Sequence, residues 1–243
     1  MASDILIFRR VEKKYLLTEE QHAALMEHLH GLIRPDTYPK STICSEYLDT
    51  PDFRLIRASM AATVYKEKLR LRSYNTPGQE DRVFLEIKKK FKGVVHKRRV
   101  AMSYAEAREY LKTGIPRRDT QIMREIDYAM RFYGRPRPAM LLSYEREAFV
   151  WTENPRVRLT LDRNVRYRAE DVDLSHGTAG KVILPADRVL LEIKTDGGMP
   201  IPLARILDAC HIYPTRFSKY KTAYLDLYGT HKINKEKGDY THG

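Results

Sequence analysis

Residues 64–74 read VYKEKLRLRSY. On an extended backbone successive side chains point to opposite faces, so Lys66, Lys68, Arg70 and Arg72 would line one face and Tyr65, Glu67, Leu69 and Leu71 the other. A strand with four cations on one side must turn that side to water or to an anion. The same alternation recurs in five further segments. Arg10, Glu12 and Lys14 share a side near the N-terminus, and Glu86, Lys88 and Lys90 oppose Val83, Leu85 and Ile87. Tyr144 and Arg146 share a face, while Arg156, Arg158, Thr160 and Asp162 oppose Val157, Leu159 and Leu161. Glu192 and Lys194 oppose Leu191 and Ile193. Alternation this regular predicts antiparallel sheet.

A single charged strand face is ordinarily a solvated one. Six together are different, because Arg and Lys predominate and like charges directly opposite one another across strands repel. Massed cations call for a counter-anion. Closing the sheet into a barrel, with helices packed on the apolar exterior, would gather those faces into a basic lumen. A few carboxylates inside it would suit phosphate transfer: the cations neutralise a polyphosphate chain, and Glu192, with Glu12 or Glu86, can hold a hard divalent metal. Such chemistry depends mainly on positioning and charge stabilisation.

The 243 residues, 42% of them hydrophobic, suffice for one domain with a genuine core. A formal net charge of +12 selects anionic partners in general: nucleic acid, phosphorylated small molecules or acidic lipid. Cys44 and Cys210 form no CxxC pair, which fits a reducing compartment. No stretch approaches the roughly 20 apolar residues needed to span a bilayer, so a cytoplasmic protein without a transmembrane segment is expected.

The pattern predicts a strand over 5–17, then a helix opened by the capping box Thr18-Glu19-Glu20-Gln21 and running to about Ile33. A strand over 41–49 follows. Thr50-Pro51 reads as a cap with proline at the first helical position, giving a short helix to about Met60. Strands over 64–74, 82–90 and 94–102 form a meander broken at Pro77-Gly78 and Lys92-Gly93. A second capping box, Ser103 to Glu106, opens helices over 105–113 and 120–133. Strands over 139–151, 156–162 and 189–195 and helices over 203–211 and 218–228 complete one domain ending near residue 230. Residues 231–243 are polar and read as a flexible tail.

Several chemistries are excluded. No histidine pairs with cysteine or carboxylate at zinc spacing, and Gly180-Lys181 lacks both the earlier glycine and the following hydroxyl of a P-loop. A nucleic-acid binder, prompted by Lys88-Lys89-Lys90-Phe91-Lys92, is disfavoured because the cations alternate within strands instead of clustering on a helix or beside stacking aromatics.

Arg10-Val11-Glu12-Lys13-Lys14-Tyr15, Lys68-x-Arg70-x-Arg72, Glu86-Ile87-Lys88, Ser143-Tyr144-Glu145-Arg146, Arg158 in VRLTLD, Leu191-Glu192-Ile193-Lys194 and Phe217-Ser218-Lys219-Tyr220 occur in the order seen in the VTC domain. The chain thus resembles, over roughly residues 5–229, the polyphosphate polymerase module of the vacuolar transporter chaperone complex. That module is one of the triphosphate tunnel metalloenzymes, with the CYTH-type triphosphatases. The resemblance implies an α+β fold, an antiparallel β-barrel with helices outside, and transfer of the terminal phosphate of ATP or another nucleoside triphosphate to polyphosphate. Mn2+ or Mg2+ is the implied cofactor, and a membrane partner protein is conceivable from the family.

Carried over by position, Arg70, Arg72, Arg146, Lys219 and Glu192 would be catalytic. Lys14, Lys68, Lys88, Lys97, Tyr144, Arg158 and Lys194 would bind substrate, and Glu192 with Glu12 would hold the metal. Triphosphatase members carry an ExExK signature on the first strand, where this chain has Arg10, Glu12 and Lys14. The missing carboxylate weakens metal-assisted activation of water and favours polymerase over hydrolysis. A triphosphatase of the same fold and a non-catalytic polyphosphate-binding module stand as alternatives, since fold does not fix reaction.

Overall fold

A computed structural model describes residues 10–61, 64–92 and 94–229. The predicted start of the first strand, residues 5–9, and the predicted tail, 231–243, lie outside the described residues. The elements run β1 (Arg10–Thr18), α1 (Glu19–His28), β2 (Ile33–Asp49), α2 (Arg54–Met60), β3 (Tyr65–Tyr74), β4 (Arg82–Phe91), β5 (Val94–Ser103), α3 (Tyr104–Thr113) and α4 (Gln121–Phe132). There follow β6 (Arg137–Trp151), β7 (Arg158–Arg168), a 3-10 turn (Leu174–His176), β8 (Lys181–Val182), β9 (Arg188–Asp196), α5 (Ile201–Ala209) and α6 (Lys219–Tyr228). The strands pair in the order β1-β9-β7-β6-β2-β3-β4-β5, with β8 on β7. Contacts group the chain into two compact units. The first holds the chain up to Ile43, Tyr144–Val165 and Leu184–Phe217, and the second holds Cys44–Ser143, Arg166–Ile183 and the chain from Ser218.

In the first unit the apolar parity of β1, β7 and β9 supplies Tyr15, Leu17, Leu159, Leu161, Leu191 and Ile193, which pack with Leu25 and Leu29 from α1 and its C-terminus and with Leu203 and Leu207 of α5. The predicted capping box forms at Thr18: its side chain accepts from Gln21 N at 3.1 Å, and the Gln21 side chain accepts from Thr18 N at 3.1 Å. The outer edge of β1 is covered in part by a bridge from Tyr15 to Pro214 and by Thr215 N donating to Lys14 O at 2.7 Å. The helix stops at His28, five residues short of the predicted end. Gly31 adopts a φ of +77°, a left-handed turn that ends the helix and starts β2 at Ile33, well before the predicted residue 41. Pro35 and Pro39 exclude a helical interior, yet an extended chain accommodates them.

In the second unit Leu69, Leu71, Val83, Leu85 and Ile87 of the meander bury against Tyr104, Ala107 and Tyr110 of α3 and Met123, Ile126, Ala129 and Met130 of α4. The Ser103 capping box forms as predicted, and α3 ends at Gly114 with φ +71°. The left-handed backbone is what favours glycine there, since the nearest atoms a Cβ would meet are those of the flexible guanidinium of Arg135. A further cluster joins Tyr47, Ile56, Met140 and Leu142 to Tyr167 and to Tyr220, Ala223 and Tyr224 of α6.

Helix α2 begins at Arg54, after Phe53 in a left-handed conformation, so Thr50 is not its N-cap. Thr50 Oγ1 still accepts from Arg54 N at 2.8 Å, and the Asp49 carboxylate accepts from Leu55 N at 2.8 Å and Ile56 N at 3.0 Å, so the two side chains share the first turn's amides. Strand β7 runs on to Arg168, beyond the predicted Asp162, because Val165 and Tyr167 continue the buried parity. No described helix is long and apolar enough to cross a membrane.

Candidate functional site

The second unit carries a strongly cationic sheet face. The β3–β4 and β4–β5 registers align residues in rows across three strands: Lys66, Lys90 and Val95; Lys68, Lys88 and Lys97; Arg70, Glu86 and Arg99; Arg72, Phe84 and Ala101. These four rows hold eight cations and one carboxylate. Glu86 is 1% exposed and is gripped by Arg70, whose Nε and Nη2 both lie 2.7 Å from Oε2, and by Lys97 Nζ at 2.6 Å from Oε1. Burial alone would raise its pKa, but Arg70, Arg72 and Lys97 outweigh that and hold it at about 2. Lys97 is pushed down to about 8, first by burial and then by Arg70 and Arg72 acting against the attraction of Glu86.

Around this face, Arg72 Nε donates to Ser45 Oγ at 3.3 Å and Lys68 Nζ to Ser218 Oγ at 3.4 Å. Lys219, the first residue of α6, is buried beside that cap. Arg99 stacks on Phe84, its Cζ 4.6 Å from the ring centroid. Lys66 is committed elsewhere, donating to Ser59 O at 2.7 Å.

The first unit builds a different face on the same parity. Its rows are Glu12, Lys194 and Arg158; Lys14, Glu192 and Thr160; Leu16, Leu190 and Asp162. Three cations meet three carboxylates, mostly as neighbours of opposite sign. Arg146 forks onto Asp162 through Nε at 2.6 Å and Nη2 at 2.7 Å, with Glu192 Oε2 3.4 Å from the same Nη2. Its guanidinium lies over Tyr144, 5.2 Å from the ring centroid. Burial opposes the charge on Arg146, yet Tyr144, Asp162 and Glu192 together raise its pKa. Lys14 Nζ bridges Glu192 Oε1 at 3.0 Å and Glu12 Oε1 at 3.5 Å. Lys194, 3.8 Å from Glu192, is lowered to about 8 chiefly by burial, with Arg146 adding to the shift. Arg158 is ion-paired with Asp36.

Among the described residues no group of three or more His, Cys, Asp or Glu side chains is arranged to hold a metal ion. Glu12 and Glu192 nevertheless converge on one cationic point, the Lys14 ammonium. Two carboxylates are a sufficient protein contribution for a hard divalent ion whose other ligands are phosphate oxygens and water. The donor set therefore fits a metal that arrives with a polyphosphate, not one caged by protein alone.

The sequence-derived residues thus fall into two groups. Lys68, Arg70, Arg72, Lys88, Lys97 and Lys219 belong to the second unit, and Glu12, Lys14, Tyr144, Arg146, Arg158, Glu192 and Lys194 to the first. The alternation does not single out Arg99, which shares the Arg70–Glu86 row, and it puts Asp162 on the polar face without the role it has here, anchoring Arg146. Nor does it single out Tyr47, whose hydroxyl meets Arg70 Nη1 at 3.2 Å. The signal for Tyr47 lies in β2, where Ser45, Tyr47 and Asp49 form a polar parity.

Residues 9–228 match the family model of the VTC domain. A search of curated proteins found no match. Among solved structures, a Bacillus halodurans protein provisionally assigned as an adenylate cyclase superposes with a TM-score of 0.54 at 17% identity, covering 86% of this chain and 93% of that one. A Hippeastrum protein, provisionally assigned as an adenylyl cyclase and found to have dominant triphosphatase activity, gives a TM-score of 0.50 at 16% identity, covering 87% of this chain and 93% of that one. The fold is that of the triphosphate tunnel proteins: α+β, antiparallel, with helices on the apolar parity of the strands. Among the described residues the strand path has two ends, at β1 and β5.

Proposed function

Because the chain belongs to the VTC domain family, we propose that it is a polyphosphate polymerase, transferring the terminal phosphate of ATP to a growing polyphosphate chain. The observation that carries this reading is the row of Lys68, Lys88 and Lys97 in direct register, inside a face of eight cations and one carboxylate. Like charges placed directly opposite are destabilising, and a polyanion laid along them removes the repulsion.

In the transfer, an oxygen of the chain's terminal phosphate bonds to the γ-phosphorus while the bond from that phosphorus to the β–γ bridging oxygen breaks. ADP leaves with the electron pair. The nucleophile is already anionic, so no general base is needed. This suits the carboxylates present: Glu86, held at about 2, is a weak base, and Asp162 and Glu192 are engaged by Arg146. Hydrolysis would need a group to take a proton from water.

In this proposal Lys68, Arg70, Arg72, Lys88, Lys97 and Lys219 grip phosphate oxygens, as do Lys14, Arg146, Arg158 and Lys194, while Tyr144 supports Arg146. Glu192 and Glu12 would hold Mn2+ or Mg2+, which when bound supplies neutralisation of phosphate charge. Incubation with ATP and manganese should yield acid-stable polyphosphate together with ADP. Phosphate release without chain growth would instead assign the chain to hydrolysis, the activity found in the Hippeastrum neighbour. No turnover with any nucleotide, metal or primer would contradict both enzymatic readings.

A further inference from the structure

Tyr47, on β2, is 8% exposed, and its ring stacks on Tyr220 at 4.3 Å between centroids. Its oxygen accepts from Arg70 Nη1 at 3.2 Å. Arginine is a donor only, so that contact uses the oxygen and leaves the phenolic hydrogen without an acceptor. The charged groups that act on the hydroxyl from β3 are Arg70, Lys68 and Arg72, all cations. Glu86 of β4 and Lys97 of β5 are partners of one another and of Arg70, and the Tyr220 hydroxyl of α6 is committed to Asp49 at 2.9 Å. Among the described residues nothing accepts from the Tyr47 hydroxyl. A buried donor in that position is expensive to leave unmade.

We propose that Tyr47 is a further anion-binding residue of the cationic face, its hydroxyl donating to an oxygen of a phosphate chain held by Lys68, Arg70 and Arg72. The inference rests on the reading of that face as a polyphosphate site. A consequence is that anion binding takes up a proton. Burial alone would raise the phenol, but Arg70, Lys68 and Arg72 outweigh it and bring its pKa down to about 8. A bound polyanion cancels those cations and returns the phenol toward its ordinary value of about 10. Ligand affinity therefore falls as pH rises through 8.

The test uses the full chain and inorganic tripolyphosphate. Without ligand, phenolate absorbance should show one tyrosine titrating near pH 8 that is missing in Tyr47→Phe, and saturating tripolyphosphate should move that titration upward. Calorimetry just above pH 8 in two buffers of different ionisation enthalpy should register more proton uptake by the wild type than by Tyr47→Phe, in which Lys97 still contributes. At neutral pH the variant should bind roughly tenfold more weakly, as expected for a lost hydrogen bond to a charged oxygen. Tripolyphosphate binding with the same proton uptake and the same affinity in the wild type and Tyr47→Phe would overturn this inference while leaving the polyphosphate site standing. No binding by the wild type would overturn both. The wild-type titration with and without ligand decides the matter even if the variant folds poorly.

Discussion

The two units carry charge on the same strand parity but arrange it oppositely. In the first, Lys14 sits across from Glu192 and Glu12 across from Lys194, so most charges meet a complement within the sheet, although Lys194 also faces Arg158. In the second, Lys66 faces Lys90 and Lys68 faces Lys88, which faces Lys97, so charges of one sign are lined up in register. The first face neutralises itself. The second sets like charges side by side, and under the proposed function a bound polyanion offsets their repulsion.

The sharpest way to break this contrast is to remove one cation from each face. Arg146→Ala removes the fork from Asp162, 0% exposed, and one of the cations beside Glu192, 6% exposed, and should lower stability by about 3–5 kcal/mol. Lys88→Ala removes a charge in register with Lys68 and Lys97, so relieved repulsion offsets the contacts it loses and the change should cost less than about 1 kcal/mol. Melting curves of the two variants check both values. Similar losses from both would mean that the faces are built alike.

The pH dependence sharpens the same contrast. Lys97 and Tyr47 in the second unit, and Lys194 in the first, have folded pKa values lowered to about 8. Their unfolded values are near 10, so between about pH 8 and 10 the unfolded chain binds more protons and stability rises with pH. That contribution is lost as pH falls through 8. Tripolyphosphate should flatten the slope by the share of Lys97 and Tyr47, and chemical denaturation across this window measures it.

A smaller effect comes from Glu46, which lies on the buried parity of β2 with Arg108 Nη1 3.1 Å from Oε1 and no hydrogen-bond partner for Oε2. Burial raises its pKa to about 7 from an ordinary 4.5, against the pull of Arg108. The stability it contributes is present below about pH 4.5 and lost as pH rises through 7, a slope that Glu46→Gln should abolish.

The first two strands of the meander are legible in the sequence because charge and apolarity alternate from Lys66 to Arg72 and from Val83 to Lys88, with turn residues at Pro77-Gly78 between them. Ser103 and Glu106 mark the start of α3 by the chemistry of the cap itself. The rows are not legible. Parity places Lys68, Lys88 and Lys97 on some face, but which residue stands opposite which is a matter of register, and alternation leaves register open by steps of two. Arg99 is overlooked for this reason. Carboxylates on the apolar parity are also hard to place from sequence. Glu67 is 6% exposed and tolerated there because Tyr65 and Tyr133 donate to it and Lys89 Nζ lies 3.4 Å away. Tyr65 is a neighbour on the same strand, but Lys89 comes from an adjacent strand and Tyr133 from the end of α4, and no local pattern announces those two.

The most direct test of the cationic face as a polyphosphate site is calorimetric titration of inorganic tripolyphosphate into the wild type and Lys88→Ala at fixed salt. The account predicts saturable binding by the wild type, weakened in Lys88→Ala although that variant loses little stability. At a ligand concentration a hundred times the wild-type Kd, binding should stabilise the wild type by about 2.7 kcal/mol. Equal affinity for both proteins, or no saturable binding by the wild type, would contradict it.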